Sequence, residues 1–89
     1  MEKEWTVYIL ACRDGTLYTG ITDDLDKRLA LHASGKGAKY TRGRGPFTLA
    51  FCKKVQSRSH ALKEEYRIKQ LARKEKQMLC DGMERKRKK

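Results

Sequence analysis

The chain lacks any apolar run near the ~20 residues that a membrane span requires, and no charged-then-apolar leader opens it. Both absences point to a cytoplasmic protein. Its three cysteines, Cys12, Cys52 and Cys80, form no C-x-x-C pair, and their odd number does not read as a disulfide framework. They are expected to be reduced thiols, with Cys12 and Cys52 in strands as core residues. No segment repeats. Acidic residues are scarce, 11 against 22 lysines and arginines, which leaves a formal net charge of +11 on 89 residues. The basic run 84–89 carries five cations and one anion, so +7 remains on the preceding 83 residues and the excess belongs to the folded part too. Such a balance points to a polyanionic partner. A basic amphipathic helix studded with bulky aromatics is also missing, which disfavours a membrane surface. Nucleic acid is the expected partner.

Hydrophobic residues make up 38% and charged residues 37%. That is polar for a globular chain, but the apolar residues recur periodically, so global disorder is not expected. A chain of this length forms one domain with one modest core. Its organising stretch is 6–20, T-V-Y-I-L-A-C-R-D-G-T-L-Y-T-G. Trp5, Val7 and Ile9 alternate with Thr6, Tyr8 and Leu10. Asp14-Gly15 is a turn pair tolerant of positive φ. Leu17, Thr19 and Ile21 then alternate with Thr16, Tyr18 and Gly20. The pattern predicts a β-hairpin over about 5–22. Strand side chains alternate faces, so Tyr8 and Tyr18 are placed to share one, with Gly20 leaving the backbone open to a close ligand.

Thr22-Asp23-Asp24 offers helix-capping oxygens. Leu25, Arg28, Leu29 and His32 follow one helical face, predicting a helix over about 24–34 that Gly35 stops. Residues 35–46, G-K-G-A-K-Y-T-R-G-R-G-P, hold four of the seven glycines and four cations with no acidic residue among them. A loop of that length and charge suits phosphates, through Lys36, Lys39, Arg42 and Arg44. Tyr40 could stack on a base or sugar. Residues 47–55 read as a third strand. Ser57 or Ser59 caps a helix over about 58–71 with an inner stripe of Ala61, Leu62, Glu65 and Ile68. A short helix over about 73–80 follows. The folded domain is expected over 1–80, with a disordered basic tail over 81–89. The fold class is α/β in the broad sense (α+β): a small three-stranded antiparallel sheet flanked by helices, in the order ββαβαα.

Two residues break the packing pattern. Glu65 sits at or beside the apolar stripe of its helix, where a carboxylate is costly unless paired or bound to a cation. Arg28 sits on the inner face of the first helix. A buried Arg28–Glu65 salt bridge would satisfy both. So would a cleft in which Glu65 holds a divalent cation and Arg28 a phosphate oxygen, and spacing alone does not choose between them.

The combination resembles the GIY-YIG nuclease superfamily. Thr6-Val7-Tyr8 stands where Gly-Ile-Tyr would, and Tyr18-Thr19-Gly20 where Tyr-Ile-Gly would. Arg28 follows the second tyrosine by ten residues. His32 lies one turn further on. Glu65-Tyr66-Arg67-Ile68-Lys69 is similar to the family's E-x-x-I-K context. The similarity runs over about residues 6–79, like that of the small stand-alone bacterial members. It implies a catalytic set of Tyr8, Tyr18, Arg28, His32 and Glu65. It also implies a single Mg²⁺ (or Mn²⁺) held by Glu65 and otherwise by waters. Arg28 would donate to a non-bridging phosphate oxygen, and Tyr8, Tyr18 or His32 would serve as base. The implied activity is phosphodiester hydrolysis by a DNA endonuclease, with DNA repair as the implied setting. A nucleic-acid-binding module that cleaves little alone, or a subunit of a larger complex, are the competing expectations.

Overall fold

The computed structural model describes residues 4–34 and 46–87, with side chains to residue 82. Its elements are β1 (Trp5–Ala11), β2 (Leu17–Thr22), α1 (Leu25–Ala33), β3 (Thr48–Val55), α2 (Arg58–Lys69) and α3 (Arg73–Arg87). The strands form one antiparallel sheet in the order β2-β1-β3. The α+β class and the order ββαβαα are those expected from the sequence.

The hairpin forms where its turn chemistry places it. Gly15 has a φ of 86°, in the region that a side chain disfavours. The Asp14 carboxylate accepts from the Thr16 backbone N–H at 3.1 Å and from its hydroxyl at 2.7 Å. In the β1–β2 register Tyr8 lies opposite Gly20, and Leu10 opposite Tyr18. A register shift between Ile9 and Leu10 marks a bulge against β3.

β1 is the central strand, and both of its faces are covered. Thr6 through Leu10 are all buried, so alternation along β1 separates two interiors rather than inside from outside. Val7 and Ile9 face α2 and α3, where Ala61, Ile68 and Cys80 complete the core. Tyr8 and Leu10 face the other way, toward α1. Cys12 is buried just beyond the end of β1, and Cys52 is half-buried in β3.

Each of the first two helices has one side-chain cap. Asp24 accepts from the Lys27 backbone N–H at 3.1 Å to start α1. Ser57, not Ser59, starts α2 by accepting from the His60 N–H at 3.3 Å. The expected inner stripe of α2 is narrower than its sequence suggests. Ala61 and Ile68 are buried, whereas Leu62 is 41% exposed. Leu62 turns outward because the sheet is only three strands wide, and the helix buries little more than one line of residues.

The stretch expected as a disordered basic tail begins inside α3, which runs to Arg87. Glu84, Arg85, Lys86 and Arg87 are good helix formers, and a single glycine such as Gly82 costs a helix only ~1 kcal/mol. The glycine does not end the element. An Arg73 guanidinium N–H donates to the Gly15 carbonyl at 2.7 Å, tying the start of α3 to the hairpin turn.

Candidate active site

Tyr8 is fully buried, yet its phenol is polar and needs partners. It finds them across α1. The Tyr8 Oη lies 3.0 Å from His32 Nε2. The Arg28 guanidinium, one helical turn before His32, is within hydrogen-bonding reach of both the Tyr8 and the Tyr18 hydroxyls. Helical spacing of four residues puts Arg28 and His32 on one face, and Asp24 fixes where that helix begins.

The rings pack edge to face. Tyr18 and His32 have centroids 5.5 Å apart at 61°, and Tyr8 and His32 6.0 Å apart at 68°. Phe47 closes on the far side of His32 at 6.0 Å. Such tilted pairs suit the quadrupoles of aromatic rings. They also hold the imidazole against rotation.

Gly20 explains how the phenol reaches its place. A Cβ there would stand 2.6 Å from Tyr8 Oη, 2.8 Å from its Cζ and 3.1 Å from Tyr18 Cε2. The open backbone expected to receive a ligand is therefore covered by Tyr8. The sequence marks the glycine but not what approaches it, because the approach comes from the neighbouring strand.

Burial and charge set the protonation of the cluster. Desolvation pushes the Tyr8 phenol above its ordinary value, and the nearby Arg28 only partly offsets this. The same Arg28 is held more firmly charged, first by its hydrogen bond to Tyr8. His32 is pushed down, mainly by burial and then by the Arg28 charge. At neutral pH the three therefore stand as phenol, guanidinium and neutral imidazole. In that state Tyr8 accepts from Arg28, and its own O–H is free to donate to His32 Nε2 in the tautomer that carries its proton on Nδ1. One donor is left over, because the buried Arg28 Nε has no hydrogen-bond partner.

Glu65 is close enough for its charge to act on Tyr8. Its side chain is only 20% exposed, and it pairs with Lys69 Nζ at 3.2 Å. The ion pair is with the next turn of its own helix and not with Arg28. The pairing was visible as the Glu-x-x-x-Lys spacing within 65–69. Its neighbour Glu64 points elsewhere, bridging Lys53 at 3.3 Å and Arg67 at 2.9 Å, and those cations hold its carboxyl below the usual range. Among the described residues no three His, Cys, Asp or Glu side chains gather as a metal cage. A single half-buried carboxylate fits a Mg²⁺ that keeps most of its waters, and it does not fit a fully protein-ligated ion.

The structure thus brings Tyr8, Tyr18, Arg28 and His32 together and sets Glu65 within electrostatic range of them. Lys36, Lys39, Tyr40, Arg42 and Arg44 lie outside the described residues. His60 is exposed at the start of α2, and Tyr66 is 69% exposed.

The family of the GIY-YIG catalytic domain matches residues 4–78. The chain belongs to that family. The matched span takes in nearly all of the described structure. Relatives share its small size. UPF0213 protein OB0043 of Oceanobacillus iheyensis is 56% identical over 84 residues, covering 94% of this chain and 98% of that protein. UPF0213 protein YhbQ of Escherichia coli O127:H6 is 51% identical over 75 residues, covering 84% of this chain and 75% of that one. Among solved structures, the solution NMR structure of EF2693 from E. faecalis aligns with a TM-score of 0.64 at 39% identity, covering 94% of this chain and 92% of that one. That of UPF0213 protein BH0048 from Bacillus halodurans aligns at 0.58 with 51% identity, covering 88% and 83%.

Proposed function

We propose that this GIY-YIG domain is a metal-dependent nuclease that hydrolyses a phosphodiester of nucleic acid, with DNA the first substrate to test. The observation that carries the reading is the Tyr8–His32 hydrogen bond at 3.0 Å beside a guanidinium with a spare donor. Arg28 binds a non-bridging oxygen of the phosphate, and Nε with one Nη offers the two-point geometry that suits it. An attacking water gives a proton to Tyr8 Oη while the phenolic proton passes to His32 Nε2. The proton ends on the imidazole, and no free phenolate forms in a site that disfavours one. Mg²⁺ or Mn²⁺ on Glu65 would supply charge neutralisation at the phosphoryl and leaving 3′ oxygens. Lys69 must release the carboxylate for that to occur.

The net charge of +11 supports a polyanionic substrate. No described helix is long and apolar enough to cross a membrane. Action in the cytoplasm, and a part in DNA repair, belong to the same proposal. The test is cleavage of single-stranded, duplex and branched DNA with Mg²⁺ or Mn²⁺. Glu65→Ala and Arg28→Ala should each slow cleavage by roughly 10²–10³-fold, the loss typical of removing one charge-stabilising group. Equal background from wild type and Glu65→Ala refutes the reading. A second reading, a binding module with little cleavage, draws on the occupation of Glu65 by Lys69. It requires DNA binding that survives Glu65→Ala with no cleavage by either protein.

A further inference from the structure

The outer edge of the sheet carries a second feature beside the catalytic cluster. β2 is an edge strand, so it meets the next layer through side chains and open backbone rather than through another strand. Along it, Leu17, Tyr18 and Thr19 line a groove of about 360 Å³, closed by Lys69 of α2 and Lys76 of α3. No carboxylate lines it. Lys76 is half-buried, and no ion pair involves it among the described residues. Lys69 reaches the groove from its ion pair with Glu65.

The decisive member is Thr19. It is 4% exposed, and its Oγ1 is buried without a hydrogen-bond partner. A buried hydroxyl left unsatisfied is destabilising, and folded proteins retain few of them. Thr19 lines a groove whose other polar side chains are the Tyr18 phenol and two ammoniums. That combination, a neutral donor between two cations with an apolar floor, matches an oxyanion joined to a sugar.

We propose that this groove binds a backbone phosphate of the nucleic acid, adjoining the phosphate held at Arg28. The inference rests on the nuclease reading and names where the substrate runs: along the β2 edge, between α2 and α3. Lys69 and Lys76 supply charge, Thr19 Oγ1 donates to a phosphate oxygen, and Leu17 covers the sugar. Tyr18 lines both places and joins them.

The test is fluorescence anisotropy of a labelled single-stranded DNA oligonucleotide with the full chain, without divalent metal, across a salt series. Lys76→Gln should lower the slope of log K against log salt by about 0.7, the value of one single-strand phosphate contact. Lys76→Arg should restore it. Thr19→Val should weaken binding roughly tenfold, the size of one hydrogen bond to a charged group, with the slope kept and the thermal midpoint no lower. Thr19→Ser, which keeps the hydroxyl, should bind as wild type. A wild-type slope in Lys76→Gln overturns the proposal, and so does wild-type affinity in Thr19→Val. Cleavage is scored separately with Mg²⁺. Active wild type with unmoved slopes removes the groove alone. A wild type that never cleaves, but loses the slope with Lys76→Gln, removes the catalytic reading and keeps the groove.

Discussion

Replacing Gly20 by alanine tests whether the Tyr8 phenol is held by a strand-to-strand contact. The added Cβ would lie 2.6 Å from Tyr8 Oη and 2.8 Å from Cζ. An ordinary contact begins at 3.4 Å, so the phenol must retreat by about 0.8 Å. It has little room, because Tyr8 is 0% exposed and its ring is rigid beyond χ2. Retreat also strains the 3.0 Å bond to His32. Overpacking of this kind costs about 1–3 kcal/mol, and a weakened buried hydrogen bond adds about 1 kcal/mol. The total of roughly 2–4 kcal/mol corresponds to a fall in thermal midpoint of roughly 10–25 °C for a domain of this length. Circular dichroism melts measure it. A double-mutant cycle with Tyr8→Phe assigns the cause. Without Oη the closest contact disappears, so Gly20→Ala should cost about 1 kcal/mol less in that background. If Gly20→Ala melts within a few degrees of wild type, or if the two substitutions simply add, Tyr8 does not lie over Gly20.

Three further outcomes follow from the same geometry. His32 is held below its ordinary value of 6.5, so the unfolded chain binds the proton first as the pH falls. Its contribution to stability is complete above pH 6.5 and is lost as the pH drops from there toward the folded value. Urea midpoints at pH 7.5 and 5.5 should show the loss, and His32→Gln should flatten it. Arg28→Ala removes one of the two causes of the depressed His32 value, so an NMR titration should find the imidazole shifted back up, whether or not the protein cleaves anything. Gly82→Ala meets nothing within 4 Å, and it should stabilise α3 by up to about 1 kcal/mol, seen as a higher melting midpoint.

The legible part of the fold was the part set by local rules. Asp14-Gly15 gave its turn, Asp24 and Ser57 their caps, and strand parity put Tyr8 and Tyr18 on one face. What escaped depends on distant neighbours. Val7, Tyr8, Ile9 and Leu10 are apolar or aromatic in succession, and only the sheet order reveals that β1 has two interiors. Leu62 looks like a core residue until the width of the sheet leaves it outside. Glu65 was singled out as an anomaly, correctly as to its half-buried setting, but its actual ion pair is the local one with Lys69. Thr19 gave no signal at all, since threonine is an ordinary strand residue. Its missing partner becomes visible only in the folded chain, where Thr19 is 4% exposed.

The cluster's charge state bears on what it can receive. Tyr8 and His32 are kept neutral by the burial that also locks their rings. Glu65 is already compensated by Lys69. Arg28 remains as a permanent cation, with no carboxylate partner among the described residues and one buried donor unpaired. A neutral ligand would leave that charge unanswered. A second cation would be repelled by it. An anion offering two or more oxygens answers both the charge and the spare N–H. If it also takes up Lys69, it frees Glu65 for a metal ion. Substrate phosphate and metal would then favour each other's binding, because the same lysine must leave Glu65 both to meet the phosphate and to admit the metal. Lys69→Ala should therefore raise the affinity for Mn²⁺ measured without DNA, by paramagnetic broadening of the Glu65 region. Unchanged broadening would mean that the Lys69–Glu65 pair does not guard the carboxylate.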